Sequence, residues 1–298
     1  MSGTVANHFL GGGAALTSAF CWAVSAILFR QAGEQVPAMA MNLFKGVIAL
    51  GFMGMILSIE GFASVDIPVL LVLALSGLIG IFLGDTLYFL TLVRLGPRLT
   101  LLLGTLIPIT AAFLAVLFLG ERVSPGAWVG IALTLLGVTY VLWDKAPEQS
   151  KARYWRSGLV LGLIFVVANA TGIILTKIGV ENLSAMQASF IRSSAALFGL
   201  FSWGLATAAL GRWVSPLRSR RMLMLLLSAS LIGAFFGTWL SVVALKYTDT
   251  AIAATLNSTS PVFILPLAAI FLKERISVRA IIGTVLAVSG IGIYFSTI

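Results

Sequence analysis

The chain has 298 residues, of which 59% are hydrophobic and 10% charged, and its mean hydropathy is +1.07. That is more apolar surface than a soluble core of this length can hide, so the chain reads as an integral membrane protein. The net charge of +9 sits in short loops between apolar runs, where it sets orientation and meets anionic lipid; nucleic acid is not an expected partner. In chain order, ten apolar runs approach the roughly 20 residues that carry a helix across a bilayer. They cover Leu10 to Phe29, Pro37 to Leu57, Pro68 to Val93, Leu99 to Leu119, Gly126 to Trp143, Ser157 to Thr176, Ser184 to Leu210, Met222 to Leu245, Thr250 to Leu272 and Ser277 to Thr297. The first run has no basic residue ahead of it and no clear small-residue cleavage site, so it is expected to be a retained span and not a signal peptide. The longest polar stretch, Asp144 to Arg156, separates the fifth and sixth runs, and no room remains for a soluble domain. The fold class expected is all-α, with ten transmembrane helices.

The chain also repeats itself. Residues Leu78 to Trp143 align without a gap, at an offset of 153, with Leu231 to Ser296. Leu78-Ile79-Gly80 recurs as Leu231-Ile232-Gly233, Gly84 as Gly237, Pro108 as Pro261, and Gly130 and Gly137 as Gly283 and Gly290. Upstream the offset is 147, pairing Arg30 with Lys177 and Lys45 with Arg192; the six extra residues are placed in a loop from Gly211 to Arg221. Such self-similarity defines two units, residues 1–149 and 150–298. Each holds five runs, an odd number, so the second copy starts on the opposite side of the membrane and is inverted. Two inverted halves can exchange conformations, opening an interfacial site to one side and then the other, which makes transport by alternating access the leading reading.

The ends of the fourth and ninth runs, Phe118-Leu119 with Glu121-Arg122 and Phe271-Leu272 with Glu274-Arg275, each precede a glycine-spaced run. With Pro108 and Pro261 ahead of them, they resemble the signature of EamA-type carriers of the drug/metabolite transporter superfamily, and the resemblance covers nearly the whole chain. It implies a five-plus-five inverted repeat with a central cavity lined mainly by spans one, three, four, six, eight and nine. It also implies export or exchange of small metabolites such as amino acids, or of drugs.

Ionisable groups inside a bilayer cost several kcal/mol unless paired or hydrated. Three lie deep: Lys45, Asp85 and Arg192. Lys45 stands about eight residues into the second run, roughly 12 Å at the helical rise, and Asp85 about ten residues from the far end of the third, on the same side; they could pair. The repeat counterpart of Asp85 is the neutral Thr238, so the acid belongs to one half only. It could receive a substrate amine or a coupling proton, or merely neutralise Lys45; Lys45 and Arg192 could equally snorkel toward headgroups. On the cavity spans the resemblance implies, Ser18, Trp22 and Ser25 share a face, with Asn169 the repeat mate of Trp22. Asp85 and Tyr88 share another, answered by Thr238 and Ser241 with Trp239 beside them. Thr255, Asn257, Ser258, Thr259 and Ser260 form the densest polar run of any span, which faces either a cavity or a neighbouring helix.

Pro108 and Pro261 remove helical hydrogen bonds and are candidate kinks or gates. The four-residue spacing of Gly80 and Gly84, and of Gly233 and Gly237, suits close helix packing. One cysteine, Cys21, excludes an internal disulfide and a thiolate metal cluster, and one histidine, His8, excludes paired-histidine metal sites. No nucleophile elbow or phosphate-binding loop is present, so neither enzyme chemistry nor a cofactor is expected, and uphill movement would draw on a proton or a counter-substrate. Loops after odd-numbered runs carry Arg30, Arg94, Arg98, Lys145, Lys151, Arg153, Arg156, Arg212, Arg218, Arg220, Arg221, Lys273, Arg275 and Arg279; even loops carry only Arg122, Lys177 and Lys246. The bias keeps the odd loops in the cytoplasm and puts both termini outside the cytoplasmic membrane, opposite to the family's usual arrangement. The expected function is therefore a secondary transporter for a small-molecule substrate in a lipid bilayer, for which a monomer suffices; a channel-like pore and a membrane scaffold or sensor are the alternatives.

Overall fold

The computed structural model describes residues 2–119, 124–144, 152–179, 183–247, 256–273 and 276–297, and all regular structure among them is helical. Glu121-Arg122, Glu274-Arg275, Lys151 and Thr255 lie outside the described residues. Helix α1 is Ser2–Ala32, and α2, Ala38–Glu60, follows Pro37. The third run is one 29-residue stretch, Ile67–Leu95, in three parts: α3 (Ile67–Ser76), a π-helical segment (Gly77–Asp85) and α4 (Thr86–Leu95). Gly96, at φ 82°, adopts the left-handed conformation that a side chain disfavours, and Pro97 starts α5 (Pro97–Gly104) at once. After a break at Thr105 come α6 (Leu106–Leu119), α7 (Pro125–Asp144), α8 (Ala152–Gly179) and α9 (Ala185–Ala206). A 115° bend at Ala208, a non-glycine residue at φ 48°, leads into α10 (Leu210–Val214) and a 3-10 turn (Ser215–Arg218). The eighth run repeats the third: α11 (Arg220–Ser230), a second π segment (Leu231–Gly237) and α12 (Thr238–Tyr247). Helices α13 (Ser260–Phe271) and α14 (Val278–Ser296) complete the described structure.

The described parts of the ten apolar runs are helical apart from short breaks, such as the turns at residues 207–209 and 258–259. Among the described residues seven helices are long and apolar enough to cross a membrane, eight if the bent α9 pair is one span, and Pro125–Val141 and Ser260–Phe271 are shorter apolar helices. Their outward faces are greasy: Leu117 and Phe198 are each 74% exposed, which suits lipid and not water.

Two expectations change in detail. The stretch from Gly211 to Arg221, expected as a loop, is largely helical, because Trp213 is buried among Phe29, Met41, Phe89 and Leu226 and anchors it to the core. The prolines sit just after helix breaks instead of kinking continuous helices. Pro108 has no N–H to offer the Gly104 carbonyl and its ring crowds that turn, so the helix breaks at Thr105, which bonds back to Leu102 O (3.1 Å). Pro261 occupies the first turn of α13, where its missing N–H has no intrahelical partner to lose; Pro266 is the interior proline.

Packing follows the repeat offset. Helices α7 and α14 cross antiparallel with backbones almost touching. A Cβ on Gly130 would lie 2.6 Å from Gly290 O, and one on Gly283 would lie 2.8 Å from Gly137 O. At the middle of this crossing the Thr134 hydroxyl donates to the carbonyl of Ala287, its own counterpart at offset 153 (3.2 Å). Helix α1 runs antiparallel to the eighth span and α8 antiparallel to the third, again at paired positions: Trp22 lies on Gly237, and its repeat mate Asn169 lies on Gly84. Two apolar clusters fill the rest. One joins α4 and α5 to α7, α8 and α14 through Leu87, Leu103, Ile131, Phe165 and Tyr294; the other joins α1, α2, α4, α10 and α11 through Phe29, Met41, Phe89, Trp213 and Leu226.

Candidate functional site

The π segments organise the polar residues. A π-helix closes its hydrogen bonds from i to i+5, so it puts side chains on faces an α-helix would not and leaves nearby carbonyls free to accept from other helices. In the first segment those acceptors are met by α2: Asn42 Nδ2 donates to Ile81 O (2.8 Å), to Phe82 O (3.3 Å) and to Thr86 Oγ1 (3.1 Å). One helical turn later Lys45 Nζ forms an ion pair with Asp85 Oδ2 at the end of the segment, and it also stands 5.7 Å from the centre of the Phe89 ring. Both side chains of the pair are about one-fifth exposed, at 22% and 20%, so neither is fully desolvated. The amide of Asn169 rests on Gly84 beside the acid and donates to Phe165 O (3.3 Å). Tyr88 follows on α4 with its ring against Phe89 and Phe165.

Arg192 reaches the same segment from α9. Its backbone presses on Gly77, where a Cβ would have no room, and its Nη2 would lie 3.5 Å from a Cβ on Gly80. Lys45, Asp85, Tyr88, Asn169 and Arg192 thus gather along the π segment and the first turn of α4.

The remaining predicted site residues gather around the second π segment. Trp22 Nε1 would lie 2.6 Å from a Cβ on Gly237, and Ser25 sits on Gly233 while donating to Ala229 O (2.8 Å). Ser18 donates to Gly237 O (2.6 Å). Thr238 and Trp239 open α12 with exposed side chains. Asn257, buried, donates to Ser241 Oγ (2.7 Å) and ties the ninth span to the eighth. No hydrogen bond or ion pair joins the two groups among the described residues. Pro108 and Pro261 belong to neither; they mark the broken helices beside them. Among the described residues no cluster of three or more His, Cys, Asp or Glu could hold a metal.

A family model described as the EamA-like transporter family matches the chain twice, at residues 9–143 and 156–296. The chain belongs to the EamA-like transporter family. It is similar to an uncharacterized transporter of Archaeoglobus fulgidus, 28% identical over 271 residues that cover 90% of this chain and 91% of the relative. A shorter likeness, 46% over 44 residues and 15% of this chain, is to the uncharacterized transporter YwfM of Bacillus subtilis. A solved crystal structure superposes with a TM-score of 0.63 over 95% of both chains at 18% identity, a likeness of fold. The chain is thus a multi-pass membrane protein of a transporter family.

In this EamA-like chain, Asn42 and both π segments escaped the sequence reading. Asn42 carried a usable signal, since it stands three residues before Lys45 and so on the same helical face. The π segments carried only their glycines, which close packing explained equally well.

Proposed function

We propose that this protein is a ten-span secondary carrier made of two inverted five-span units, residues 1–149 and 150–298, and that it exports small amphipathic metabolites such as amino acids, or drugs, by alternating access. The observation that carries this reading is the antiparallel crossing of repeat-related helices, with Thr134 opposite its own mate Ala287 and with Trp22 on Gly237 matched by Asn169 on Gly84. A twofold relation between the halves would produce such reciprocal pairs, and exchange between the halves is how such a fold opens to alternate sides. Substrate binds between the groups around the two π segments, with Tyr88 and Asn169 on the facing third and sixth spans, Trp22, Ser25, Thr238, Trp239 and Ser241 on the facing first and eighth, and Asn257 on the ninth. The Lys45–Asp85 pair couples transport to a proton or to a counter-substrate, and the broken helices at Pro108 and Pro261 serve as gates. The odd-numbered loops, including Lys151 and Arg153, face the cytoplasm.

The test combines flux with accessibility. In a Cys21→Ala background, single cysteines at Trp22, Asn169, Thr238 and Asn257 are expected to react with a small water-soluble thiol reagent and to be shielded by transported substrate. In proteoliposomes, flux should saturate, and exchange should run faster than net efflux. Uniform inertness of the cysteines would remove the site, and non-saturating flux would make the protein a pore. For orientation, a C-terminal reporter active only in the cytoplasm would overturn the loop assignment.

A further inference from the structure

The middle turns of the described spans hold two cations and one acid: Lys45, Arg192 and Asp85. Lys45 takes the acid. Arg192 is attracted by the same carboxylate across space but makes no direct ion pair with it. Its Nε is sealed from solvent without an acceptor, and no described residue makes a hydrogen bond or ion pair to its guanidinium; the sealing stops short of its two Nη atoms. A guanidinium is always charged and presents donors in a fixed fork that matches a carboxylate, so an interior arginine with no acceptor in direct contact has its fork open to an anion that can outcompete the distant Asp85. Its depth argues against snorkelling as a sufficient account. Arg192 is the eighth residue of α9, about 11 Å along the helix, and its Nη2 lies beside Gly80, within the third span.

The π segment decides what surrounds that open fork. Gly80 and Asp85 are five residues apart, which an α-helix would turn well away from each other but a π-helix brings onto one face. Arg192 at Gly80, the Asn169 amide at Gly84 and the Lys45–Asp85 pair at Asp85 therefore follow one another along one side of the segment. The Asn169 amide makes one long bond, to Phe165 O at 3.3 Å, and has a second N–H to give.

Resting on the carrier reading above, we propose that Arg192 is the anion-binding residue of this site and that the substrate is a small organic monoanion held by its carboxylate. The guanidinium takes the carboxylate in a forked pair and Asn169 supplies a further donor. Two cations, one acid and one bound monoanion are neutral together; a zwitterion leaves one positive charge and a cationic drug leaves more. The site accordingly ranks a carboxylate above its zwitterionic or neutral analogue, and an amine last.

The full chain in phosphatidylcholine nanodiscs, titrated at equilibrium with 3-phenylpropionate, phenylalanine, 3-phenylpropionamide and phenethylamine, tests this ranking on one skeleton. We expect the carboxylate to bind at least about tenfold more tightly than the amine, Arg192→Gln to weaken the carboxylate by about tenfold to a hundredfold and leave the amide unchanged, and Arg192→Lys to fall between. Asp85→Asn removes the competing acid and should tighten carboxylate binding several-fold, a gain that misfolding cannot imitate. Adding phosphatidylglycerol should not compete; if it does, a lipid headgroup fills the site and the proposal fails. It also fails if the amine or phenylalanine binds more tightly than the carboxylate, if Arg192→Lys binds as wild type, or if Asp85→Asn weakens the carboxylate. Failure of the carrier reading looks different: carboxylate binding that depends on Arg192, without saturable flux in proteoliposomes, keeps the anion site and removes transport. Saturable flux of a cation indifferent to Arg192 keeps transport and removes the anion site.

Discussion

The two π segments share a backbone and differ in chemistry. Both are glycine-marked, both stand between α-helical flanks, and both are crossed by an antiparallel helix whose side chain lies on the last glycine. Around Gly77–Asp85 the partners are two amides and two cations, and the segment ends in an acid; around Leu231–Gly237 they are the hydroxyls of Ser18 and Ser25 and the indole of Trp22, with Thr238 where the acid would be. Hydroxyls suffice to satisfy the spare carbonyls, so the geometry does not require charge. The charge on the first segment is an addition to a scaffold that stands without it, and this is why it marks the chemistry.

Breaking that asymmetry should have the largest effect where the acid is removed. Asp85→Asn leaves Lys45 with no carboxylate in the interior and is expected to cost on the order of 2–4 kcal/mol, read as lowered thermal stability in detergent, with loss of uphill transport. The double change Asp85→Asn with Lys45→Met should recover the stability, because the stranded charge goes too. Recovery of proton-coupled transport in that double variant would make the pair structural and nothing more.

The first position of the first segment and its repeat counterpart, the last residue of α11, sharpen the comparison without touching charge. Gly77 has no space for a Cβ because the backbone of Arg192 occupies it, whereas its repeat counterpart Ser230 is buried with a hydroxyl that has no partner among the described residues. Gly77→Ser is therefore expected to destabilise by about 1–3 kcal/mol through forced separation of two backbones. Ser230→Ala, which deletes an unsatisfied group, should be neutral or stabilising by up to about 1 kcal/mol. Equal losses at the two sites would show that the segments are packed alike.

Much of this architecture was legible in the sequence. Apolar runs give the helices, and the offset of 153 anticipates that Gly130 and Gly137 recur at Gly283 and Gly290, the residues that let α7 and α14 touch. The Lys45–Asp85 pair could be anticipated from depth alone, since two opposite charges on adjacent spans at one level seek each other. The π geometry could not, because a wider helical turn depends on what satisfies its carbonyls, and the donors lie on other helices distant in sequence. Arg192 was visible as a deep charge, but its place beside Gly80 and not near headgroups depends on the α9 contact at Gly77. The helical Gly211–Arg221 stretch was missed because its basic, proline-containing sequence looks like a loop until Trp213 is seen in the core.

Donors to the spare carbonyls provide a smaller effect. Asn42→Leu keeps the volume of a buried side chain but removes its bonds to Ile81 O and Phe82 O, and is expected to cost about 1–2 kcal/mol. Ser18→Ala removes the single bond to Gly237 O and should cost about 1 kcal/mol or less. Hydrogen exchange localises the difference: amides from Ile81 to Thr86 should lose protection in the first variant and stay protected in the second. Loss of protection throughout the protein in both would mean that the hydroxyl and the amide hold the whole bundle and not their own segments.

The smallest expected effect concerns Asn257, whose amide donates to Ser241 Oγ at 2.7 Å between the ninth and eighth spans on the uncharged side. Interhelical hydrogen bonds in membranes average about 0.6 kcal/mol, because the unfolded chain in the bilayer finds other partners. A double-mutant cycle with Asn257→Ala and Ser241→Ala should therefore return a coupling of about that size in thermal stability. Transport separates packing from binding. An amide that only ties two helices together loses its role equally when either partner is changed, so the two single variants should show the same apparent KM. An amide that also faces the substrate has its Oδ1 to offer, which has no hydrogen-bond partner among the described residues, and Asn257→Ala should then raise KM several-fold while Ser241→Ala leaves it near wild type. Equal KM values would assign Asn257 to packing and confine the polar contacts with substrate on the uncharged side to the first span and α12.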